Sequence, residues 1–329
     1  MTEKRWLYQT IPESDIVENL KNSINISAPI ATLLAQRGVD NFEKAKTFFR
    51  PSVEQIHNPF LMKDMDLAVE RLEKAIAENQ RIMIYGDYDV DGTTSVSMMY
   101  HFLKTNVYQG VSFYIPDRYK EGYGVQKMGI DFAADNDINL IICIDCGIKS
   151  VDLIAYAQTL GIDFIVCDHH RPGDILPPAV AVLDPKRSDC NYPFDELTGC
   201  GVGFKFLSAF CQKNNINQDL LMPYLDLVAT SIACDIVPVN GENRVLAYFG
   251  LQYINQNPRI GVKALIEATG LKKIMNITDV VFGLGPRINA AGRVSHAYDA
   301  VNLLLSDDEE ESIAFSKIVN EHNISRKGL

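Results

Sequence analysis

The sequence predicts an α/β fold: a doubly wound, mostly parallel sheet with an N-terminal helical arm and a C-terminal helical segment. Three observations carry this. Five short apolar runs recur at residues 82–85, 111–115, 140–144, 164–167 and 180–183. Segments of helical length, such as 95–103 and 151–160, separate them, and strands alternating with helices at this spacing require right-handed crossovers between parallel strands. Past residue 200 the strand pattern fades and helix-like segments take over.

Taken in order, residues 1–60 read as helical and irregular, with a helix over 28–37 closed by Gly38 and another over 42–49 stopped by Pro51. Met65, Val69, Leu72 and Ile76 recur at the helical period and place an amphipathic helix just before the first strand. Later helices are expected over 204–211, 220–233, 245–255 and 262–268, and Ser306-Asp-Asp-Glu309 reads as a capping box that opens a last helix from Asp307. That helix stops at Leu329 without an obvious closing domain, so the chain is expected to be a fragment of something longer.

A chain of 329 residues is long enough for about two domains of ~150 residues. With 47% hydrophobic and 22% charged residues it is neither disordered nor fibrous. No apolar run approaches the ~20 residues of a bilayer span, and the opening MTEKRWLYQT lacks a signal-peptide core, so a cytoplasmic protein without a membrane partner is expected. Seven scattered cysteines, mostly inside apolar runs, fit reduced and buried thiols. The net charge of -11 should repel polyanions, unless cations or local basic patches intervene.

In an open parallel sheet, ligands bind beyond the carboxyl ends of the strands. The first run is followed by Gly86-Asp87-Tyr88-Asp89-Val90-Asp91-Gly92, the third by Asp145-Cys146-Gly147, and the fourth by Asp168-His169-His170. Carboxylates and imidazoles therefore converge on one rim. Two like charges ~4 Å apart cost about 4 kcal/mol at an effective dielectric near 20, so such a cluster needs protons or cations. Protonating that many acids at neutral pH is unfavourable, and histidines beside carboxylates suit Mn²⁺ better than all-oxygen Mg²⁺ or Ca²⁺. A donor set this large points to two ions, roughly 3.5–4 Å apart, an arrangement suited to in-line phosphoester hydrolysis. Cys143-x-x-Cys146 has no second pair and lies partly in a strand, so it reads as packing.

The ordered set GDYDVDG, ICIDCG, CDHH and the stretch Ala233-Cys234-Asp235-Ile236-Val237-Pro238 resembles the four motifs of the DHH phosphoesterase superfamily. The spacing, and the later Gly285-Pro286-Arg287-Ile288-Asn289-Ala290-Ala291-Gly292-Arg293, resemble the RecJ family of single-strand-specific 5′-to-3′ exonucleases, over about residues 60–325. The resemblance implies metal coordination by Asp89, Asp91, Asp145, His169, His170 and Asp235, with Asp87 a further motif carboxylate, Asp145 the bridge between ions, and Asp145, His169 and His170 the catalytic group. Asp226 competes with Asp235 for the last position, and Asp235 is preferred. Arg118, Arg287, Asn289 and Arg293 are expected to hold substrate, since guanidinium groups grip phosphates in a bidentate manner.

The expected organisation is an N-terminal helical arm over 1–60, a catalytic domain over 61–240, a helical region with the Gly285–Arg293 motif over 241–305 and the start of a connecting helix over 306–329. The implied activity is hydrolysis of single-stranded DNA to 5′-mononucleotides in repair and recombination, with two divalent ions, Mn²⁺ ahead of Mg²⁺, and with single-strand-binding protein and a helicase as partners. The alternative keeps the chemistry but takes cyclic dinucleotides or short oligonucleotides. A catalytically silent binding module is a third reading, disfavoured by the complete ligand set. Chains of this family continue into a second globular domain that clamps the strand, and without it weak or non-processive DNA binding is expected.

Overall fold

The computed structural model describes Arg5 and residues 7–327. Residues 1–4 and 6, part of the opening stretch on which the signal-peptide expectation falls, and residues 328 and 329, the end of the expected last helix, lie outside the described residues. The chain divides into two compact units, Met1–Ile56 and His57–Leu329. In the first, α1 (Ser14–Ile24), α2 (Ala28–Ala35) and α3 (Phe42–Phe49) close around Leu20, Ala31, Leu34, Val39 and Ala45. Helix α1 was not anticipated, although Ile16, Leu20 and Ile24 repeat every four residues and face this small core.

The second unit is built on one sheet of five parallel strands: β1 (Arg81–Gly86), β2 (Val111–Tyr114), β3 (Ile138–Ile144), β4 (Asp163–Cys167) and β5 (Ala181–Leu183), in the spatial order β2-β1-β3-β4-β5. All five expected strands are present. Register pairs Gly86 with Ile144 and Ile144 with Cys167, so β1, β3 and β4 end level with one another. Strands buried on both faces read as continuous apolar runs. On one face Met83, Tyr85, Ile141, Cys143, Phe164 and Val166 pack with Ile130 and Ala133 of α6 (Lys127–Asp135) and with Ile154 and Ala157 of α7 (Val151–Thr159). Against the sheet also lie α4 (Met65–Ala77), α5 (Val90–Asn106) and α8 (Gly199–Lys213).

Several boundaries differ from expectation for local reasons. Helix α5 starts at Val90, five residues before the predicted 95, because Asp89 caps it by accepting the Gly92 N–H at 3.0 Å; the acidic motif thus leads into the helix and only Asp91 lies in its first turn. The segment predicted as one helix over 220–233 opens with two 3₁₀ turns, Gln218–Leu220 and Met222–Tyr224, the second containing Pro223, and only then becomes α9 (Leu225–Cys234). The proposed Ser306 capping box is displaced: Asp308 accepts the Glu311 N–H at 2.8 Å and α15 begins at Glu309, while the Ser306 hydroxyl donates to the Glu311 side chain at 2.7 Å. Beyond α9 the unit continues through α10 (Gly241–Gln256), α11 (Ile260–Thr269), a single turn α12 (Ile277–Asp279), a π-helical turn Val280–Leu284, α13 (Gly285–Val294), α14 (Tyr298–Leu305) and α15 (Glu309–Lys327).

A buried ion pair fixes the start of this unit to its helical half. Lys205 and Glu242 have side chains with 0% exposure, and Lys205 Nζ lies 2.8 Å from Glu242 Oε1. The remaining capacity of the carboxylate is filled by the Tyr192 hydroxyl at 2.7 Å and the His57 N–H at 3.2 Å, and Lys205 also donates to the His57 carbonyl. Such a pair is tolerated in the interior because its lone pairs and protons find partners.

Candidate metal centre

Three neighbouring strands deliver the centre. Past β1 the chain turns through Asp87, Tyr88 and Asp89 into α5, past β3 comes Asp145, and past β4 come Asp168, His169 and His170. Asp145 N–H donates to the Cys167 carbonyl at 2.9 Å, extending the ladder by one residue. There the backbone enters the left-handed region, φ +61°, which aspartate tolerates better than most residues.

His169 is central. Its Nε2 lies 3.2 Å from Asp145 Oδ1, 3.5 Å from Asp235 Oδ2 and 3.6 Å from Asp91 Oδ2. The ligand atoms of Asp145, His169 and His170 all fall within 4.8 Å of one another, and so do those of Asp91, His169 and Asp235. Five of the seven expected metal ligands are thereby brought together, contributed by α5, the ends of β3 and β4, and the end of α9. Asp89 caps α5, and Asp87 is fully buried beside it, both outside these two triads.

The electrostatics are those of a site built for cations. Burial, reinforced by the charges of Asp91 and Asp89, drives the Asp145 carboxyl far above the ordinary carboxylate range. The same causes push Asp235 up to about 7, and burial with the Asp89 charge pushes Asp87 up to about 7. Burial holds His169 below its usual range, which favours the neutral imidazole a metal requires. Both ring nitrogens of His169 are buried without a hydrogen-bond partner among the described residues. Leaving a buried polar atom bare costs about 1–3 kcal/mol. A bare imidazole Nε2 among repelling carboxylates fits a divalent transition metal, since coordination satisfies that nitrogen and neutralises the oxygens together.

Surrounding groups fix these ligands. Asp91 Oδ2 accepts the Gly199 N–H at 2.7 Å, and its Oδ1 accepts the Cys200 N–H at 2.9 Å and the Ser231 hydroxyl at 2.6 Å, so the carboxylate sits on the N-terminus of α8. Asp168 Oδ1 lies 2.7 Å from His170 Nδ1, and its Oδ2 accepts the Ile148 N–H at 2.9 Å. Burial opposes the Asp168 charge, yet its bonds to His170 and Ile148 hold its carboxyl below the usual range; the same bond raises His170. Asp226 lies in neither triad, and Arg259 binds both of its oxygens, at 2.8 and 2.9 Å.

The expected substrate groups divide. Arg118 stacks on the Tyr88 ring, 4.9 Å from its centroid, at the edge of the acidic motif. Gly292 packs so closely that a Cβ there would stand 2.5 Å from the Tyr88 carbonyl, which docks α13 on the same motif. Exposed Arg293 donates from Nε to Asn289 Oδ1 at 3.3 Å, and its carbonyl accepts the Tyr119 hydroxyl at 2.6 Å. Arg287 spends its donors within the protein: Nε donates to Asn320 at 2.9 Å and its two terminal nitrogens to the Gly283 and Ala268 carbonyls at 2.7 and 3.2 Å, bonds that brace helices.

Sequence reasoning placed Asp168 on the rim without giving it a role, and missed Asp184 and Tyr123 as residues of the site. Asp184 ends β5 as the other acids end their strands; it is fully buried, burial pushes it up to about 7, and its Oδ2 is bare among the described residues. The strand-end rule applied to the fifth run would have found it. The Tyr123 hydroxyl lies 3.3 Å from His170 Nε2, in a glycine-flanked loop with no motif of its own to announce the contact.

Comparison with known proteins agrees with this architecture. The DHH family, N-terminal domain, matches residues 81–232. The single-stranded-DNA-specific exonuclease RecJ of Bacillus subtilis is 39% identical over 329 residues, 100% of this chain and 41% of that protein. Among solved structures, RecJ of Thermus thermophilus in complex with Mn²⁺ superposes with a TM-score of 0.83 at 27% identity, over 97% of this chain and 45% of that one. An exonuclease RecJ bound to manganese superposes with a TM-score of 0.75 at 32% identity, over 81% of this chain and 67% of that one. The chain thus spans less than half the length of its B. subtilis relative. Its strand-end acids, its paired histidines and these matches together make the chain a member of the DHH family, similar to RecJ over its whole length.

Proposed function

We propose that this chain carries the catalytic centre of a single-strand-specific DNA exonuclease that works from the 5′ end and releases 5′-mononucleotides. The observation that carries the reading is the pair of overlapping triads around His169, whose bare Nε2 and repelling carboxylates suit divalent ions. The names of the similar proteins support the substrate and the metal. Asp91, Asp145, His169, His170 and Asp235 would hold two divalent ions, Mn²⁺ in preference to Mg²⁺. Such ions supply positive charge to the phosphate oxygens and lower the pKa of water.

The rest of the work falls to side chains. Asp168 fixes the ring of His170 through Nδ1, and the N-terminus of α8 fixes Asp91. Arg118 and Arg293, with Asn289 as a neutral donor, hold the phosphates of the strand, while Arg287 is assigned to helix bracing. Residues 61–240 form the catalytic domain in this reading, preceded by an arm over 1–60, with 241–305 an appended helical region and 306–329 the start of a connecting helix. Action in the cytoplasm, in repair and recombination, beside single-strand-binding protein and a helicase, completes the proposal.

Digestion of single strands labelled at one end or the other, with Mn²⁺ and Mg²⁺ tested separately, examines it. Early release of a 5′-labelled mononucleotide is expected. Release from the 3′ end, or internal cuts, would refute it.

A further inference from the structure

Phe282 lies in the π-helical turn Val280–Leu284 and is 75% exposed, although Val280, Gly283 and Leu284 around it are buried. Phe282, Pro286, Asn289 and Arg293 follow at steps of four, three and four through the π-helical turn and α13, and so share one face. The opposite face, Gly285, Ile288 and Gly292, is buried. Both ends of that face are pinned against the metal centre's own segments. A Cβ on Gly285 would stand 2.4 Å from Cys234 Sγ, next to Asp235, and Gly292 meets Tyr88 between Asp87 and Asp89. Helix α13 therefore lies along the rim, with a cation at one end of its outer stripe and an uncovered aromatic at the other. Beside it, Ile236 follows Asp235 in the left-handed region at φ +60°, a costly conformation for a β-branched residue, and its side chain is 93% exposed.

We propose that the outer stripe of α13 is a track for single-stranded nucleic acid, on which Phe282 stacks against a base and Ile236 packs beside it, while Asn289 and Arg293 take the phosphates. An aromatic platform with cations in line is the arrangement that holds unpaired strands without reading their sequence. Phe282 and Arg293 are separated by roughly 16 Å along the helix, so a base on Phe282 and a phosphate at Arg293 belong to non-adjacent nucleotides, and a dinucleotide cannot reach both. The proposal rests on the nuclease reading above and adds to it a specific platform with a dependence on substrate length.

The test compares the protein with Phe282→Ala and Phe282→Trp on a long oligothymidylate and on a thymidine dinucleotide, with thermal midpoints as a check of folding. Phe282→Ala should lose about tenfold or more in kcat/KM on the long strand, through KM, since stacking of one base is worth about 1–3 kcal/mol. It should cleave the dinucleotide as the unaltered protein does, and Phe282→Trp should restore the long strand. Equal losses on both substrates would show a bracing role, or a surface covered by another protein segment, and would overturn the proposal, as would no loss on either. If the unaltered protein cleaves neither substrate, the nuclease reading itself fails.

Discussion

Asp168 Oδ1 stands 2.7 Å from His170 Nδ1, and the same oxygen accepts the backbone N–H groups of His169 at 2.7 Å and His170 at 3.1 Å. One buried carboxylate thus fixes the ring of His170 and the backbone of both histidines. Partners of metal-binding histidines of this kind are worth about 10–100-fold in metal affinity or activity. Asp168→Asn should lower Mn²⁺ affinity by that order while leaving the fold intact. Titration calorimetry checks it, and an unchanged affinity would remove Asp168 from the positioning role.

Asp145 lies where the carboxylates crowd most closely, and its charge is strongly disfavoured without a cation. Asp145→Asn removes that charge with little change of shape. Hydrolysis should fall by at least about a thousandfold, while the thermal midpoint in EDTA should rise, with about 2–4 °C expected for each kcal/mol of relieved repulsion. A midpoint that drops would mean the carboxylate is held by favourable bonds rather than by a cation.

Asp87 and Asp235 are each held up to about 7. Their unfolded values are ~3.9. A carboxyl raised on folding adds stability below its unfolded value and loses it as pH rises through its folded one. Without metal, stability should therefore fall between roughly pH 4 and pH 7, so the midpoint in EDTA is higher at pH 5.5 than at pH 8. Mn²⁺ binds the ionised forms and should reverse the order. Differential scanning calorimetry with and without Mn²⁺ distinguishes these outcomes.

Glu242 shares its carboxylate among Lys205, Tyr192 and His57. Glu242→Ala strands the Lys205 ammonium in the core and should cost about 3–5 kcal/mol. Pairing it with Lys205→Met should recover much of the loss. Denaturant unfolding of the single and double variants measures both, and a single variant within about 1 kcal/mol of the original would contradict a closed, dry pair.

The two arginines of the same motif should behave oppositely. Arg287 spends its donors on Asn320, Gly283 and Ala268, so Arg287→Ala should lower the thermal midpoint. Exposed Arg293 should leave the midpoint unchanged on truncation and raise KM for single strands, with the effect shrinking at high salt. The reverse pattern would exchange their roles.

These contrasts show which features of the site could be read from residues alone. Buried parallel strands must be apolar, so Ile141 to Ile144 announced β3, and the polar residue that ends such a run, Asp145, announced the rim. The donor types of Asp91 and His169 and their meeting on one rim were legible in the same way, whereas Asp235, at the end of a helix rather than of a strand, entered only through the resemblance. Arg287 and Arg293 are identical in chemistry and six positions apart; only the packing of α13 turns one into the helices and the other outward. Asp226 and Asp235 competed in the sequence for the same reason, and the partner that binds Asp226, Arg259, lies 33 residues from it. The π-turn at Val280–Leu284 leaves no signature in composition.

The centre itself is examined most directly by a crystal grown with Mn²⁺ and measured at the manganese absorption edge. Two anomalous peaks are expected among the side chains of Asp91, Asp145, His169, His170 and Asp235. A map without a peak there, or with the metal held elsewhere on the chain, would contradict the account.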